Sequence, residues 1–388
     1  MSSRTATVVG GGFAGLAAAI ALARYGWEVT LHERGPEIRA FGSALALSEN
    51  GLKVLEMLGA YDDAVRGAFP LFNRETRDGE GRLLSSYNWK TEDQTLRMFM
   101  LLRSRVIAAL EAAARKAGVT VVTSSAVSEV DTGGTVILEN GETRTADLVV
   151  IADGAGSRSS VRKKLFKHRK LFSDGSIRML VPRDVTGEWP EGTFVEYWSG
   201  RRRAMLSPCS EKHLYLGLIA QQGDERGTRA PIDKASWIES FPVLRDYIEN
   251  VGEQERWSWD QYQSIILTRW HDGRVAFLGD AAHAMSPNFG QGAALAMVNA
   301  LSLAAIVSKE DRIETALADW EQNERPLVDR TQFLSGVYSS LMNWPAFARN
   351  AALASMGRSR WIMKQRTLAA YRTPTGYAPE QVGAQNAV

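Results

Sequence analysis

Cysteine and histidine, the residues that form disulfides and bind metal ions, are scarce in this chain. Among its 388 residues Cys209 is the only cysteine, and the five histidines are scattered. A single cysteine excludes an intramolecular disulfide framework and a cysteine-rich metal site. Scattered histidines do not favour a histidine-built metal centre either, so the sequence predicts no metal. Cys209 follows Pro208 in a predicted turn, which favours a structural role for it.

A surplus of one charge and a long hydrophobic run are also missing. Lys and Arg number 46 against 44 Asp and Glu, a formal net charge of +2. So small a net charge does not favour nucleic acid or an anionic membrane as a partner. The longest apolar run, Gly10–Ala23, is shorter than the ~20 residues that span a bilayer, and no signal-peptide pattern is present. We therefore expect a cytoplasmic protein, with a length that allows two or three domains.

Glycine, by contrast, is abundant, and its first cluster follows a predicted strand. Residues 6–10 form a short β-branched run, residues 13–25 an alanine-rich helix, and residues 28–32 a second strand. A strand, a glycine turn, a helix and a parallel second strand make a right-handed crossover unit. This order predicts a Rossmann-like α/β domain at the start of the chain.

The glycines of this turn match the pattern G-x-G-x-x-G. Gly10 allows a tight turn out of the strand, Gly12 lets the backbone approach a pyrophosphate, and Gly15 lets the helix pack on the sheet. Glu33 ends the second strand, where an acid binds a ribose diol. Together these residues predict a dinucleotide site. The alternative is a glycine-rich turn without a ligand.

Charged residues near this turn refine the nucleotide prediction. Glu33 favours a ribose with a free 2′-hydroxyl, as in FAD or NAD, whereas the adjacent Arg34 leaves a 2′-phosphate open. Arg103 begins a predicted helix and can reach a phosphate. Taken alone, it is more typical of a solvated arginine in a first helical turn.

Two further glycine–acid turns follow predicted apolar strands. Asp153 begins the segment DGAGSR, and Asp280 follows Gly279 in the segment GDAAH. The second segment continues through Pro287 into a glycine turn at a helix start, made by Gly290, Gln291 and Gly292. Turns at the carboxyl ends of strands lie in the ligand crevice of an α/β fold, although each acid alone is also typical of a turn or a helix cap.

The middle of the chain has a different character. Short aromatic strands separated by turns predict an antiparallel sheet inserted into the α/β fold, and helices follow it. We expect a discontinuous nucleotide-binding domain over 1–175 and 267–340, with a small β insertion near 69–100. The inserted β-rich substrate domain covers 176–266, and a C-terminal helix with a loose tail covers 341–388.

The three motifs together resemble the FAD-dependent aromatic-ring hydroxylases of the p-hydroxybenzoate hydroxylase fold, from Gly10 to about Arg325. The resemblance implies a Rossmann-like FAD-binding domain with an inserted antiparallel substrate domain. It implies that Glu33 holds the adenosine ribose, that Arg103 contacts the phosphate and ribityl region, and that Asp280 binds the ribityl chain. The family's roles also place the backbone of Gly290–Gly292 around the flavin ring and link Asp153 to FAD and nicotinamide use. Asn299 departs from the family, which places an acid there, and His283 is expected to be a polar neighbour of the flavin.

A closer resemblance, over residues 37–60, 203–220 and 279–303, is to pyridine-ring monooxygenases of the 2-methyl-3-hydroxypyridine-5-carboxylate oxygenase type. It implies that Arg203 and Tyr215, on adjacent strands, orient the substrate, that Tyr262 lies beside it, and that the Pro287 carbonyl lies near flavin and substrate. Ala46 and Arg74 stand where this type has tyrosines, so the resemblance implies a longer or more acidic substrate.

The residues themselves point in the same direction. Side chains alternate across a strand, so Arg203 and Tyr215 each share a face with their second neighbours. A guanidinium suits a carboxylate or a phenolate-like oxygen, and a tyrosine hydroxyl can bond a ring hydroxyl. A solvated arginine turn and a core tyrosine remain the alternatives.

The implied reaction is hydroxylation of a hydroxylated pyridine acid with FAD, NADH and O₂, through a hydroperoxide on the reduced flavin. An acyl-pyridine of nicotine breakdown is one such substrate. The alternatives are a hydroxybenzoate-type phenolic hydroxylase, a flavin reductase or dehydrogenase that does not use O₂, and a non-catalytic dinucleotide-binding regulator. The expected partners are a small aromatic acid and O₂, with no nucleic acid or membrane. A homo-oligomer is left open.

Overall fold

The structure is a computed structural model that describes residues 3–39, 43–92, 96–184, 189–254 and 256–377. Residues 40–42, which belong to the segment 37–60, and the predicted tail beyond Tyr377 lie outside the described residues.

The strands are short except for one, and most of them lie in two sheets. In chain order they are β1 Thr5–Val9, β2 Glu28–His32, β3 Ala44–Ser48, β4 Phe69–Pro70, β5 Asn73–Asp78, β6 Leu83–Asn88, β7 Met98–Leu102, β8 Thr120–Val122, β9 Val127–Val130, β10 Thr135–Leu138, β11 Thr143–Thr145, β12 Leu148–Ile151, β13 Phe166–Pro182, β14 Thr193–Ser199, β15 Arg202–Pro208, β16 His213–Gln221, β17 Asp260–Leu267, β18 His271–Asp272 and β19 Val275–Phe277.

The helices lie around the sheets and dominate the last quarter of the chain. They are α1 Phe13–Arg24, α2 Glu49–Met57, α3 Tyr61–Val65, α4 Trp89–Glu92, α5 Arg103–Lys116, α6 Ser160–Leu165, α7 Lys234–Ser240, α8 Arg245–Glu249, α9 Asp280–His283, α10 Gly292–Val307, α11 Ile313–Ser340, α12 Ala346–Arg358 and α13 Arg360–Thr367.

The first sheet confirms the predicted α/β fold. In the described part of the chain its order is β18–β19–β12–β1–β2–β8. β1 pairs in parallel with both β2 and β12, and β12 pairs in parallel with β19. The three strands that precede the glycine turns therefore lie side by side. Their carboxyl ends bring the three turns to one edge of the sheet.

Two helices that begin at these turns are buried almost all round. α1 is rich in alanine, and α10 carries mainly alanine, leucine and valine, so both can be enclosed by protein on every side. They pack against each other over the first sheet. Their first residues consequently lie together at the edge where the glycine turns meet.

The second large sheet has the order β17–β13–β16–β15–β14–β5–β6. It is antiparallel as predicted, except that β5 pairs in parallel with β14. Two features cross the boundaries proposed from the sequence. β13 runs unbroken from Phe166 to Pro182, because its first half pairs with β17 and its second half with β16. The insertion near 69–100 contributes β5 and β6 to this sheet. The division into domains remains a prediction.

The C-terminal region differs from the sequence prediction. The segment expected to be a single helix forms α12 and α13, because Ser359 is extended between them and its Oγ accepts a hydrogen bond from the Ile362 amide at 3.3 Å. The segment after Tyr371 is docked as far as Tyr377. Arg372 pairs with Glu324 at 2.9 Å, and the Thr375 amide donates to Ser302 Oγ.

No helix in the described ranges is long and apolar enough to cross a membrane. Within the same ranges, no group of three or more His, Cys, Asp or Glu side chains is placed to hold a metal ion.

Candidate functional site

A cavity of about 840 Å³ lies between the carboxyl edge of the first sheet and one face of the second. Many of the predicted site residues line it: Gly12, Arg103, Arg203, Tyr215, Tyr262, Asp280, Pro287, Gly290, Gln291 and Gly292. Its size is near the upper end of the ~300–1,000 Å³ usual for ligand pockets. The structure thus brings the three glycine turns and the predicted substrate residues into one site.

The first glycine turn has the geometry that its sequence pattern predicts. Gly10 has φ +103°, and a Cβ atom there would lie 2.6 Å from the Ala152 carbonyl oxygen. A Cβ atom at Gly15 would overlap the Gly10 carbonyl oxygen. A Cβ at Gly12 would meet no described atom within 4 Å, because this position faces the cavity. Two glycines therefore close the turn, and the third leaves backbone accessible to a ligand.

Glu33 lies beside this turn at the end of β2. Its Oε2 accepts a hydrogen bond from the Gly11 amide at 2.8 Å, and its Oε1 accepts one from the Gly35 amide at 2.9 Å. Two backbone donors hold the carboxylate in one orientation next to the glycine turn. Arg34 is exposed, and its positive charge acts on Asp153.

Three charged side chains meet where α5 and α9 begin. Arg103 lies 5.1 Å above the Phe13 ring, and its Nε has no hydrogen-bond partner among the described residues. Asp280 lines the cavity, and its side chain is exposed there. Burial raises the pKa of Asp280, while Arg103 and Arg178 act in the opposite direction. The result is a carboxylate flanked by two cations.

The second glycine–acid turn is linked to the third by Arg162. Its Nε donates to the Ala281 carbonyl at 2.6 Å and its Nη1 to the Ser157 carbonyl at 3.0 Å. Asp153 precedes Gly154, which lines the cavity. Burial raises the pKa of Asp153, and its Oδ1 has no hydrogen-bond partner within the described ranges. Asp153 is thus next to the cavity with an acceptor unused.

The turn from Pro287 to Gly292 forms another wall. A short 3₁₀ turn, Pro287–Phe289, ends at Gly290, whose φ of +64° favours glycine. The Gln291 side chain is held by two hydrogen bonds. It accepts from Asn50 Nδ2 at 3.0 Å and donates to Ser48 Oγ at 2.9 Å. The Gln291 side chain fixes the turn, and the backbone of Gly290–Gly292 borders the cavity.

Tyr215 and Tyr262 enclose Arg178, a residue that the sequence analysis did not identify. The Arg178 guanidinium faces both tyrosine hydroxyls, and its Nη1 lies 3.8 Å from Asp260 Oδ2. Burial raises the pKa of Tyr215 to about 12, although Arg178 opposes this shift. Arg178 pairs in register with Gly217, where a Cβ atom would lie 2.5 Å from the Tyr215 hydroxyl. Gly217 therefore makes room for that hydroxyl.

Arg203 borders the cavity but is held by protein groups. Its Nη2 donates to Asn288 Oδ1 at 2.7 Å, and its Nη1 lies 3.2 Å from Glu196 Oε1. Glu196 also accepts hydrogen bonds from Arg74 and, at 3.0 Å, from the Tyr338 hydroxyl. Burial opposes ionisation of Glu196, but Arg74 and Arg203 outweigh it and lower its pKa to about 2.

A third group of lining residues is apolar. We call it the apolar wall; its members share one hydrophobic cluster and line the cavity, and they are Leu71, Trp89, Leu96, Met98, Met100 and Phe194. Ala46 lies opposite Met100 in the β3–β7 pair, and its small side chain leaves space beside the wall. Arg74, the other position where a tyrosine was expected, pairs with Glu196.

Sequence reasoning missed Arg178, Glu196, Asn288 and Arg366. A signal for Arg178 existed, because Ile177 and Met179 alternate with it on β13 and are buried on the opposite face. Glu196, by contrast, is a carboxylate inside an aromatic strand, and its partners come from distant segments. Arg366 lies in α13, 5.2 Å above the Phe289 ring.

Three other residues of the sequence analysis are in the interior. His283 is not among the described residues that line the cavity. It lies 3.2 Å from Asn299 Nδ2, and burial lowers its pKa to about 4. His283 was expected to be a polar neighbour of the flavin; its side chain packs beside Trp270, and its place near the flavin stays a prediction. Cys209 is buried, as a structural role requires, and burial raises its pKa to about 12.

The residues present fit FAD. A backbone accessible at Gly12 suits a pyrophosphate, a fixed carboxylate at Glu33 suits a ribose diol, and Arg103 carries an unused donor toward the cavity. The accessible Asp280 carboxylate suits a polyol chain. The open glycine turn at 290–292 suits the edge of a flat ring.

Comparisons with known proteins agree with this fit. Residues 3–331 match the family model described as FAD binding domain. A putative 2-heptyl-3-hydroxy-4(1H)-quinolone synthase of Rhodococcus erythropolis is 41% identical over 374 residues, which cover 96% of this chain and 97% of that protein. The 2-heptyl-3-hydroxy-4(1H)-quinolone synthase of Mycobacteroides abscessus is 38% identical, covering 93% and 96%. The solved tetrameric form of 2-methyl-3-hydroxypyridine-5-carboxylic acid oxygenase has 38% identity and a TM-score of 0.86, covering 97% of this chain and 99% of that chain.

Proposed function

This chain belongs to the FAD-binding domain family and is an FAD-dependent aromatic-ring monooxygenase, and we propose that it hydroxylates an N-heteroaromatic ring that bears an alkyl chain, as in a 2-alkyl-4(1H)-quinolone. Family membership confirms the prediction made from the three glycine motifs. The substrate class is the part that we propose, and it differs from the pyridine acid expected from the sequence.

The apolar wall is the observation that carries the proposal. Six large apolar side chains line the cavity and form one contiguous cluster, and Ala46 widens the space beside them. An alkyl chain buried there would gain ~0.8 kcal/mol for each methylene group removed from water. A pyridine carboxylate would leave this surface without an apolar partner.

The charges beside the cavity support the same substrate class. Arg203 and Arg74, which the sequence analysis related to an acidic substrate, are both bound to Glu196. The relatives named as 2-heptyl-3-hydroxy-4(1H)-quinolone synthases cover nearly the whole chain and also favour a neutral ring with an alkyl chain.

When bound, FAD supplies the redox chemistry that lets a reduced nicotinamide and O₂ hydroxylate a ring carbon. Overall, one oxygen atom enters the C–H bond and the other leaves as water, with a hydride (two electrons and one proton) supplied by NADH and a second proton supplied by solvent. The chain's own residues orient the ring and exclude water. Tyr215 stays protonated at neutral pH and can donate to a ring oxygen, while Arg178 favours the anionic form of that oxygen.

A chain-length series tests the proposal. The FAD-loaded enzyme is supplied with NADH and 4(1H)-quinolones whose 2-alkyl chain grows from methyl to heptyl, and O₂ uptake and hydroxylated product are measured together. We expect kcat/KM to rise about four-fold per methylene until the wall is filled, from ~0.8 kcal/mol each. Met100→Gln should flatten this rise while leaving the methyl compound nearly unaffected. No hydroxylated product, or no dependence on chain length, would refute the proposal.

A second candidate is a hydroxylated pyridine acid, as the sequence analysis predicted. Arg178 favours it, because this cation lies between Tyr215 and Tyr262 and about 29% of its side chain is exposed. A carboxylate could bind there. Equal turnover of a 3-hydroxypyridine carboxylate and a heptylquinolone would support this candidate.

The partners follow from the same reaction. NADH is the proposed reductant, as the resemblance implies, and because Glu33 is assigned to FAD and the sequence shows no second nucleotide-binding motif, NADH would bind only transiently. A cytoplasmic location suits this reductant. A related oxygenase forms a tetramer, and we assign self-association of this chain to an exposed C-terminal aromatic surface, made of Phe333, Trp344, Phe347 and Trp361.

A further inference from the structure

We propose that Glu196 is a specificity-determining residue: it occupies the arginines beside the cavity with a carboxylate of the chain itself, and so disfavours substrates that carry an acid group. This inference deepens the proposed function and rests on it for the identity of the preferred ring. The property of the substrate that Glu196 selects is its charge.

Arginine side chains that line the cavity could bind the carboxylate of a substrate. Arg203 is 1% exposed and Glu196 is fully buried, yet both line the cavity together with Arg74 and Arg366. A guanidinium binds a carboxylate through two parallel N–H donors and is the usual recognition group for one. Glu196 accepts a hydrogen bond from Arg74 and forms an ion pair with Arg203 at 3.2 Å; without Glu196, these two cations would face an acid in the cavity with no countercharge from its carboxylate.

Glu196 is ionised whenever the protein is folded near neutral pH. The side chains of Arg74 and Arg203 lower its pKa to about 2 against the effect of burial, and the Tyr338 hydroxyl donates to it at 3.0 Å. A substrate carboxylate would therefore meet a fixed negative charge among the cations of Arg74, Arg203 and Arg366. Like charges at this range in a buried site disfavour binding.

Arg203 also has a structural role beside the cavity, which accounts for its presence there. Arg203 donates to Asn288 Oδ1 at 2.7 Å, and the Asn288 amide donates to Ser339 Oγ at 2.8 Å and to the Ser335 carbonyl at 3.0 Å. Asn288 belongs to the turn that starts at Pro287 and leads to the glycines at the flavin edge. Arg203 thus holds this turn, and Glu196 compensates its charge without help from a ligand.

The test compares two ligands that differ only in charge. The FAD-loaded enzyme is titrated with 3-hydroxypyridine-5-carboxylate and with its carboxamide, and the change in flavin absorbance gives both dissociation constants. In Glu196→Gln we expect the preference for the acid over the amide to rise at least ten-fold relative to the parent protein. Glu75→Gln is the matched control, since Glu75 pairs with Arg77 in the same sheet and does not line the cavity; its preference should not change.

Two further variants keep the test decisive. Because loss of a buried charge can prevent folding, the double variant Arg74→Gln/Glu196→Gln removes one charge of each sign and leaves Arg203 to bind the acid, with the same expected rise. Tyr338→Phe removes a hydrogen bond from Glu196 but no charge, so the ratio should stay within two-fold. An unchanged ratio in a folded, FAD-bound Glu196 variant would overturn the inference, as would a ten-fold change in Tyr338→Phe. These binding ratios do not depend on turnover of quinolones, so the proposed function can fail without affecting them.

Discussion

Arg203 Nη1 lies 3.2 Å from Glu196 Oε1, with 1% of the arginine side chain and none of the glutamate side chain exposed. The sequence analysis expected Arg203 to orient the substrate, and that role remains a prediction. The pair shows that the Arg203 charge is already matched inside the protein. Arg203 can act on a ligand through the turn that it holds at Asn288 or through its Nε and Nη1 groups, which have no hydrogen-bond partner among the described residues.

Arg203→Ala should destabilise the protein much more than loss of an ordinary ion pair in the same sheet. Removing one member of a buried pair typically costs about 3–5 kcal/mol, because the remaining charge stays in the interior. Arg77→Ala is the control, since its partner Glu75 is more exposed and such pairs contribute about 1 kcal/mol or less. Denaturant unfolding of both variants measures the difference. Equal losses of unfolding free energy in the two variants would contradict a stabilising buried ion pair between Arg203 and Glu196.

Arg178→Gln should separate NADH oxidation from hydroxylation. Arg178 faces the hydroxyls of Tyr215 and Tyr262, and its loss removes the cation that we propose orients the ring and favours the anionic form of the ring oxygen. We expect product per NADH to fall several-fold, with the missing electrons recovered as hydrogen peroxide. Arg169→Gln, an exposed arginine on the same strand, provides the control. Full coupling in Arg178→Gln would remove this residue from the site.

Substitutions in the first glycine turn should have opposite consequences. Gly15→Ala places a methyl group on the Gly10 carbonyl oxygen, so the apoprotein should lose stability. In Gly12→Ala the methyl group points into open cavity, so the apoprotein should unfold at the parent temperature while its affinity for FAD drops about ten-fold or more. Thermal unfolding without FAD and a fluorescence titration with FAD measure the two effects. Parent-like FAD affinity in Gly12→Ala would exclude this backbone as the phosphate contact.

The parts of the fold and site that sequence reasoning captured depend on local chemistry. Only glycine fits at Gly10 and Gly15 in a turn this tight, and Glu33 must end the strand beside the turn. The sequence motif is therefore sufficient to predict this local structure. The same holds for Gly290, whose positive φ terminates a short turn. Such residues can be read along the chain without knowing which strands pair.

The remaining site residues depend on contacts that no local pattern contains. Glu196 is bound by Arg74 from β5 and by Tyr338 from α11, which are 122 and 142 positions away along the chain. The parallel pairing of β14 with β5 brings Arg74 beside Glu196, and no turn or residue spacing in the sequence predicts this pairing. Likewise Arg203 appeared available because its partners could not be known. The sequence can predict on which face of a strand a charged side chain lies. Whether that side chain is already paired with an opposite charge can be seen only in the tertiary structure.

His283 should make stability fall in mildly acidic solution. Burial lowers its pKa from 6.5 to about 4, so between these values the unfolded chain binds a proton that the folded chain does not. The corresponding stability is present above pH 6.5 and is lost as the pH falls toward 4, a total of about 3 kcal/mol. His283→Asn should reduce the slope of unfolding free energy against pH in this window. Identical slopes in the two proteins would contradict a neutral, buried His283.

Self-association should depend on the C-terminal aromatic surface. The Arg330 side chain donates to Gln365 and joins α11 to α13, so Phe333 and Trp361, each about one turn away, lie on adjacent helices. Phe333 is 69% exposed, Trp361 is 71% exposed and Phe347, at the start of α12, is 82% exposed, so large apolar side chains are uncovered on three successive helices. Phe347→Asp combined with Trp361→Glu should convert the oligomer to a monomer in light scattering, with FAD binding retained. Leu171→Glu, an equally simple change at a leucine that is 51% exposed on β13, should leave the mass unchanged. A monomeric parent protein, or an oligomer that survives the double variant, would refute this interface.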